Sequence, residues 1–120
     1  IAIKSITNQI TPGGIFVASI RDYDALLASK PPYSPPYIHK REKGQRVSFQ
    51  TWVWEDDRYK LTQYIIDDAD TLQISKFECA YRATRREEMT AMLQANGCSK
   101  VNWLFPDETG FYQPILIARK

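Results

Sequence analysis

The sequence predicts an α+β fold: a mixed or antiparallel sheet with a three-stranded meander, one clear helix and a C-terminal β-hairpin. Three observations lead there. Residues 47–83 read as three β-rich runs joined by two short acidic turns. Residues 84–97 read as one well-punctuated helix, and residues 100–119 as two strands around a turn. At 120 residues, with 43% hydrophobic content and 3 Trp, 7 Tyr and 5 Phe, the chain suits a single domain over 1–120 with a real core.

Taken in order, Ile3, Ile6 and Ile10 recur at three- and four-residue spacing and predict an N-terminal amphipathic helix. Thr11-Pro-Gly-Gly14 stops it. The helix ends well but has no cap ahead of it, and Ile1 is not an initiator Met. The expectation is a chain cut within a helix. Ile15–Ile20 is a continuous apolar run, the pattern of a strand buried on both faces. Arg21-Asp-Tyr-Asp24 follows at its C-terminal end, the edge where open α/β sheets bind ligands. The Asp-x-Asp can also serve as a cap for a helix from Tyr23 to Ala28; the two readings are compatible.

Residues 30–46 contain Pro31, Pro32, Pro35 and Pro36 and a charged tail, which predicts an extended loop without helix or central strand. Val47–Trp54, Tyr59–Ile66 and Thr71–Tyr81 then form the meander, turned by Glu55-Asp-Asp-Arg58 and Asp67-Asp-Ala-Asp70. Large side chains occupy both of its faces, and exposed Trp52 and Trp54 would need covering. Thr84-Arg-Arg-Glu87 reads as a capping box, with Met89, Met92 and Leu93 on the helix it opens and Asn96-Gly97 as its left-handed stop. Lys100–Phe105 is a strand, Pro106–Gly110 a turn and Phe111–Arg119 the last strand.

Charge excludes some functions. Sixteen basic residues against fourteen acidic ones give a net +2 with the signs interspersed, so no electrostatic case for nucleic acid arises. The cluster His39-Lys-Arg-Glu-Lys43 is read as a solvated loop, and His39 as a surface residue. Cys79 and Cys98 fit no metal or redox spacing and are read as free thiols of a reducing compartment; a redox role is left open. No run of about 18 apolar residues or signal-peptide pattern occurs, which predicts no membrane association and a cytoplasmic default. No catalytic triad, metal cluster or activated cysteine is recognisable.

The order of these elements resembles the class I methyltransferases that use S-adenosylmethionine. Thr84–Lys120 looks like their final helix and antiparallel hairpin, and Pro12-Gly-Gly-Ile-Phe-Val17 like the turn into the fifth strand. Within that class the chain is most similar to the glycine N-methyltransferase group. There a His-Arg-Asn-Tyr-Asp segment, a proline-bearing loop and an inserted antiparallel meander follow the fifth strand; here the segment reads Ile20-Arg-Asp-Tyr-Asp24 and the same layout follows. Lys76-Phe-Glu-Cys-Ala-Tyr81 matches that group's Lys-Phe-x-x-x-Tyr pattern.

The resemblance implies an α+β fragment of an α/β Rossmann-like methyltransferase: the C-terminal, substrate-side part, with the meander at 47–83 as an insertion. It implies Arg21 as a carboxylate clamp and Tyr81 as a pocket tyrosine, with Tyr23 beside Arg21 and looser matches at Tyr64 and Tyr112. A guanidinium fork suits a carboxylate. Methyl transfer is a direct displacement that depends on alignment, so no side-chain nucleophile is required. Ile20 and Asp22 stand where the group has His and Asn, so the acceptor need not be glycine, and Asp22 could instead pair with Arg21. No Gly-x-Gly pattern is present. The expected acceptor is a small molecule, an amine or amino acid. S-adenosylmethionine is expected to be held by residues outside this chain. An exposed edge at Ile15–Ile20, or the Trp52 and Trp54 patch, is expected to support a homodimer or higher oligomer. The alternative is a non-enzymatic β-rich module that binds a ligand or protein through the meander.

Overall fold

The computed structural model describes residues 2–120. Its elements run α1 (Ala2–Gln9), β1 (Ile15–Ser19), α2 (Tyr23–Ser29), β2 (Tyr37–Lys40), β3 (Gln45–Glu55), β4 (Arg58–Asp67), β5 (Gln73–Arg82), α3 (Arg86–Ala95), β6 (Lys100–Leu104), α4 (Pro106–Thr109) and β7 (Ile115–Arg119). All strand pairs are antiparallel, so the antiparallel form of the expected sheet is the one adopted. They make a three-stranded sheet in the order β1-β7-β6 and a four-stranded sheet in the order β2-β3-β4-β5. The chain divides into two compact units, Ile1–Ala25 with Thr84–Lys120, and Leu26–Ala83. The second unit contains the meander.

In the first unit, β1 and β7 pair from Ile15↔Arg119 to Ser19↔Ile115. Strand alternation then sends Phe16, Ala18, Leu116, Ala118, Val101 and Trp103 to one face. That face is the core: Leu93, Cys98, Leu116 and Ala118 are buried, with Ile3, Phe16, Ile20, Met89, Val101 and Trp103 packed around them. The opposite face carries Ile15 and Val17, which are 51% and 59% exposed. The run is therefore covered on one face only, and not on both as its composition suggests. Its strand also lies at the sheet edge.

Helix α1 spans the expected segment, although its fully buried residue is Thr7 and Ile6 is exposed. Thr7 is tolerated there because its hydroxyl donates to the Lys4 carbonyl at 3.1 Å. Helix α3 begins one residue later than the capping-box reading, with Arg85 at the cap in place of Thr84 and no side-chain cap hydrogen bond. It ends as expected: Asn96 is the C-cap, and Gly97 takes φ of 93°, a conformation open to glycine. The turn expected at Pro106–Gly110 is a helical turn, α4. Glu108 accepts the Phe105 N–H at 2.8 Å and closes it, and Gly110 stops it at φ of 70°. The last strand starts at Ile115, leaving Phe111–Pro114 outside it.

In the second unit, β3 and β4 pair without interruption from Arg46↔Asp67 to Glu55↔Arg58, around a two-residue turn in which Asp56 takes φ of 52°. β4 and β5 pair from Arg58↔Arg82 to Asp67↔Gln73. The meander has a fourth strand. Tyr37–Lys40 pairs with β3 inside the segment read as loop, because the prolines end at Pro36 and leave the amides after them free to join the ladder. The proline segment itself lies along β3: Trp52 N donates to Pro32 O at 2.8 Å and Ser34 N to Gln50 O at 2.9 Å.

Trp52 and Trp54 are half-buried rather than exposed. They surround Tyr59, which is 2% exposed, with ring centroids 5.6 and 4.7 Å from it. The Trp54 Nε1–H donates to the Pro31 carbonyl at 3.0 Å. Cys79 is exposed and Cys98 buried, both free. Among the described residues, no helix is long and apolar enough to cross a membrane.

Candidate functional site

The Ile20 amide donates to Pro114 O at 3.0 Å, which extends the β1–β7 ladder by one step before the chain turns away. Arg21–Asp24 therefore starts at the end of a strand that is fixed by its neighbour. Asp22 caps α2: its Oδ1 accepts the Ala25 amide at 3.1 Å. Asp24 caps a different helix, since its Oδ2 accepts the Arg86 amide at 3.1 Å, at the start of α3. The sequence reading of Asp-x-Asp as a cap for the helix from Tyr23 holds for Asp22 alone; Asp24 caps α3 instead.

Arg86 completes the cluster. Its Nη1 lies 2.6 Å from Asp22 Oδ1 and 3.5 Å from Asp24 Oδ2, and Arg85 Nη1 lies 3.9 Å from Asp24 Oδ1. The Arg86 guanidinium also sits 5.1 Å from the centroid of the Phe105 ring. Two carboxylates and two guanidinium groups balance in charge and hold the start of α2 against the start of α3. The sequence reading missed Arg86, because Thr84-Arg-Arg-Glu87 was absorbed into a local capping motif. The signal that could have found it is the acidic pair on one segment facing the basic pair on the other.

Of the residues nominated from sequence, Arg21 and Tyr23 flank Asp22 and are half-buried. Tyr112 belongs to the same unit; it is 77% exposed, with its ring 4.6 Å from that of Phe111. Tyr64 and Tyr81 belong to the second unit. Tyr81 stands opposite Tyr59 and Tyr64 opposite Lys76, an odd number of residues apart on β4, so they emerge on opposite faces of the meander. Tyr81 stacks on Tyr59 at 5.4 Å, and Tyr64 stacks on Phe49 at 5.1 Å. One face of the meander can present only one of the two. The Tyr81 face also carries a polar chain that the sequence did not reveal: Trp52 Nε1 donates to Gln50 Oε1 at 3.0 Å, and Gln50 Nε2 to Gln63 Oε1 at 2.8 Å.

The other face is a charged row. Glu78 lies between Lys60 at 3.0 Å and Lys76 at 3.2 Å, and their ammonium groups hold its carboxyl below the usual carboxylate range. A shallow open depression of about 330 Å³ lies at the β3–β4 turn end of the meander, where Glu55, Arg58, Lys60 and Arg82 line it over Val53 and Ala80.

No group of three or more His, Cys, Asp or Glu that could hold a metal occurs among the described residues. Nor do these residues suit a nucleotide-type cofactor. Gly13 and Gly14 are occupied in closing the sheet, with Gly13 N donating to Lys120 O at 2.8 Å and Lys120 N to Gly14 O at 3.0 Å. They precede β1 rather than following a strand into a helix.

No family model matches the sequence, and no curated protein sequence matches it. Solved structures do match. An amino-pentose methyltransferase from Micromonospora echinaspora, involved in calicheamicin biosynthesis and solved with S-adenosylmethionine bound, superposes with a TM-score of 0.70 at 16% identity. The match covers 98% of this chain and 48% of that one. An S-adenosylmethionine-dependent methyltransferase from Clostridium acetobutylicum gives 0.67 at 15% identity, over 98% and 48% of the two chains. A sugar N-methyltransferase from Streptoalloteichus gives 0.67 at 13% identity, over 99% and 47%. The chain spans about half the length of these structures and has the α+β fold of that part of a Rossmann-like methyltransferase.

Proposed function

We propose that this chain is the substrate-side portion of an S-adenosylmethionine-dependent methyltransferase acting on the amine of a small molecule. The observation that carries the reading is the fold match over 98% of this chain and 48% of a methyltransferase solved with that cofactor. The bare face of the three-stranded sheet supports it. Ile15 and Val17 are left half-exposed on an edge strand, as expected of a sheet that continues into residues outside this chain. The cofactor is assigned to those residues, because none of the described ones forms a cradle for it.

Two of the matched structures are named as methylating an amino pentose and a sugar nitrogen. That favours an amino sugar as acceptor, whereas the sequence resemblance to glycine N-methyltransferases favours an amino acid. Arg21 separates the two. In either case this chain's part is to bind and orient the acceptor nitrogen and to exclude water. Arg21, Tyr23 and Tyr112 are assigned to contact the acceptor; Asp22, Asp24 and Arg86 hold the Arg21 segment in place.

The test is methyl transfer from labelled S-adenosylmethionine by the product of the gene's full reading frame, offered amino sugars and amino acids in parallel. Transfer to an amine is expected. If the acceptor carries a carboxylate, Arg21→Ala should lower kcat/KM for it roughly tenfold or more, the size of a lost hydrogen bond to a charged group. If the acceptor is an amino sugar, the loss should be smaller. No transfer to any amine, or tight cofactor binding by the 120-residue chain alone, would overturn the proposal.

A further inference from the structure

Helix α3 ends on Asn96-Gly97, a pair in which the side-chain amide is open to attack by the next backbone nitrogen, since Gly97 has no Cβ to obstruct the approach. The reaction is intramolecular. The Gly97 nitrogen gives up its proton and attacks Asn96 Cγ. The N–Cγ bond forms, the Cγ–Nδ2 bond breaks, and Nδ2 leaves as ammonia with that proton. Water then opens the cyclic imide at either carbonyl, leaving aspartate or isoaspartate.

The folded chain opposes each requirement of this step. Ring closure needs the Gly97 nitrogen on the flank of Asn96 that carries Cβ. With ψ of 24° at Asn96, that nitrogen is instead nearly eclipsed with the Asn96 amide nitrogen. The Gly97 N–H that must be given up donates to Gln94 O at 3.1 Å, and Asn96 Nδ2 donates to Met92 O at 2.7 Å. One event releases all three restraints: unwinding of the last turn of α3, where Gln94 and Ala95 are exposed. That event is opposed in turn by the Cys98 amide, which donates to Leu93 O at 3.1 Å beside two buried core side chains. We propose that Asn96 is a deamidation site gated by unwinding of this turn, and that the product holds the turn open. An aspartate in place of Asn96 loses the donor to Met92 O and sets a negative charge at the helix C-terminus, where the dipole disfavours it. The isoaspartate product also lengthens the backbone between α3 and β6 by one carbon. The inference is independent of the methyltransferase reading.

Peptide mapping by mass spectrometry of the 120-residue chain, held at mildly alkaline pH, follows deamidation at Asn96 with time. The folded chain should react at least about tenfold more slowly than the same chain in urea, a factor set by the free energy of opening the turn. Ala95→Gly loosens the last turn through an exposed residue and should speed the folded reaction roughly two- to fivefold, with the rate in urea unchanged. Asn96→Asp supplies the product directly. It should lower the deuterium-exchange protection of the Gly97 and Cys98 amides at least about threefold. Equal rates in the folded chain and in urea, an Ala95→Gly rate equal to wild type, or wild-type protection in Asn96→Asp would overturn the proposal.

Discussion

Arg46 and Asp67 stand directly opposite each other at the far end of the β3–β4 ladder, and the guanidinium grips one carboxylate oxygen twice: Nε at 3.2 Å and Nη2 at 3.0 Å from Oδ2. Arg41 Nη1 reaches the same oxygen at 2.9 Å. The hydrogen bond from Arg46 is the main reason the Asp67 carboxyl titrates below its ordinary range. Asp57 is lowered in the same way by Arg82, and Glu78 by Lys60 and then Lys76. A depressed carboxyl stabilises the folded state above its unfolded value and loses that contribution as pH falls through the folded value. The urea midpoint followed by tryptophan fluorescence should therefore be flat from neutral pH to the ordinary carboxylate range and fall below it. Asp67→Asn should lower the plateau and make the acid limb shallower. An acid limb identical in wild type and Asp67→Asn would remove Asp67 from this account. Added salt should reduce the effect, since all three groups meet solvent.

Asp24 supplies α3 with a cap that no neighbour in sequence provides. Asp24→Ala should cost about 1 kcal/mol or somewhat more, combining a lost cap with weakened contacts to Arg85 and Arg86. Asp24→Asn keeps the acceptor for the Arg86 amide and should cost about half as much. Thermal or urea unfolding by circular dichroism measures both. Equal stability of wild type and Asp24→Ala would show that the Arg86 amide is satisfied otherwise.

Tyr59 is the centre of the aromatic group on the meander, enclosed by Trp52, Trp54 and Tyr81. Truncation to Ala removes a buried ring from three neighbours at once and should destabilise by about 3–5 kcal/mol, whereas Tyr59→Phe should cost under about 1.5 kcal/mol. Near-ultraviolet circular dichroism of Tyr59→Ala should lose its aromatic bands. A cooperative transition at the wild-type midpoint would contradict the packing described.

Gly44 and Gly13 make a matched pair for backbone strain. Both have positive φ, 64° and 80°. A Cβ at Gly44 would come within 2.8 Å of Ala69 Cα and 2.9 Å of Ala69 N, whereas one at Gly13 meets nothing within 4 Å. Gly13→Ala should cost about 1 kcal/mol from conformation alone. Gly44→Ala should cost more, since backbone at the β4–β5 turn must move. Denaturant midpoints compare them, and an equal loss would mean the turn yields freely.

Legibility in the sequence followed the range of the interactions. α1, the meander turns and the end of α3 are set by neighbours within a few residues, and Asn96-Gly97 or the Ile3, Ile6, Ile10 spacing was sufficient to place them. β2 was hidden because prolines dominate the composition around it, although the amides of Tyr37 and beyond were free to pair. The start of α3 was misplaced because its true cap, Asp24, is remote in sequence. Ile15 and Val17 were read as buried because apolarity shows what a strand could cover, not what lies beside it. Tyr64, Tyr81 and Tyr112 were nominated by resemblance alone, Arg21 and Tyr23 also by their place at the end of an apolar strand. Register then showed what composition could not, that Tyr64 and Tyr81 face opposite ways.

The bond between Asp24 and Arg86 has a consequence for how such a protein can change. The chain leaves the first unit just after Asp24 and re-enters it just before Arg86, so exit and return are tied at one point. Everything between is an excursion whose ends are already clasped. A different meander, longer or shorter, could be spliced at that point without reopening the core around Leu93 and Leu116. The clasp is a socket in which the inserted sheet can be exchanged.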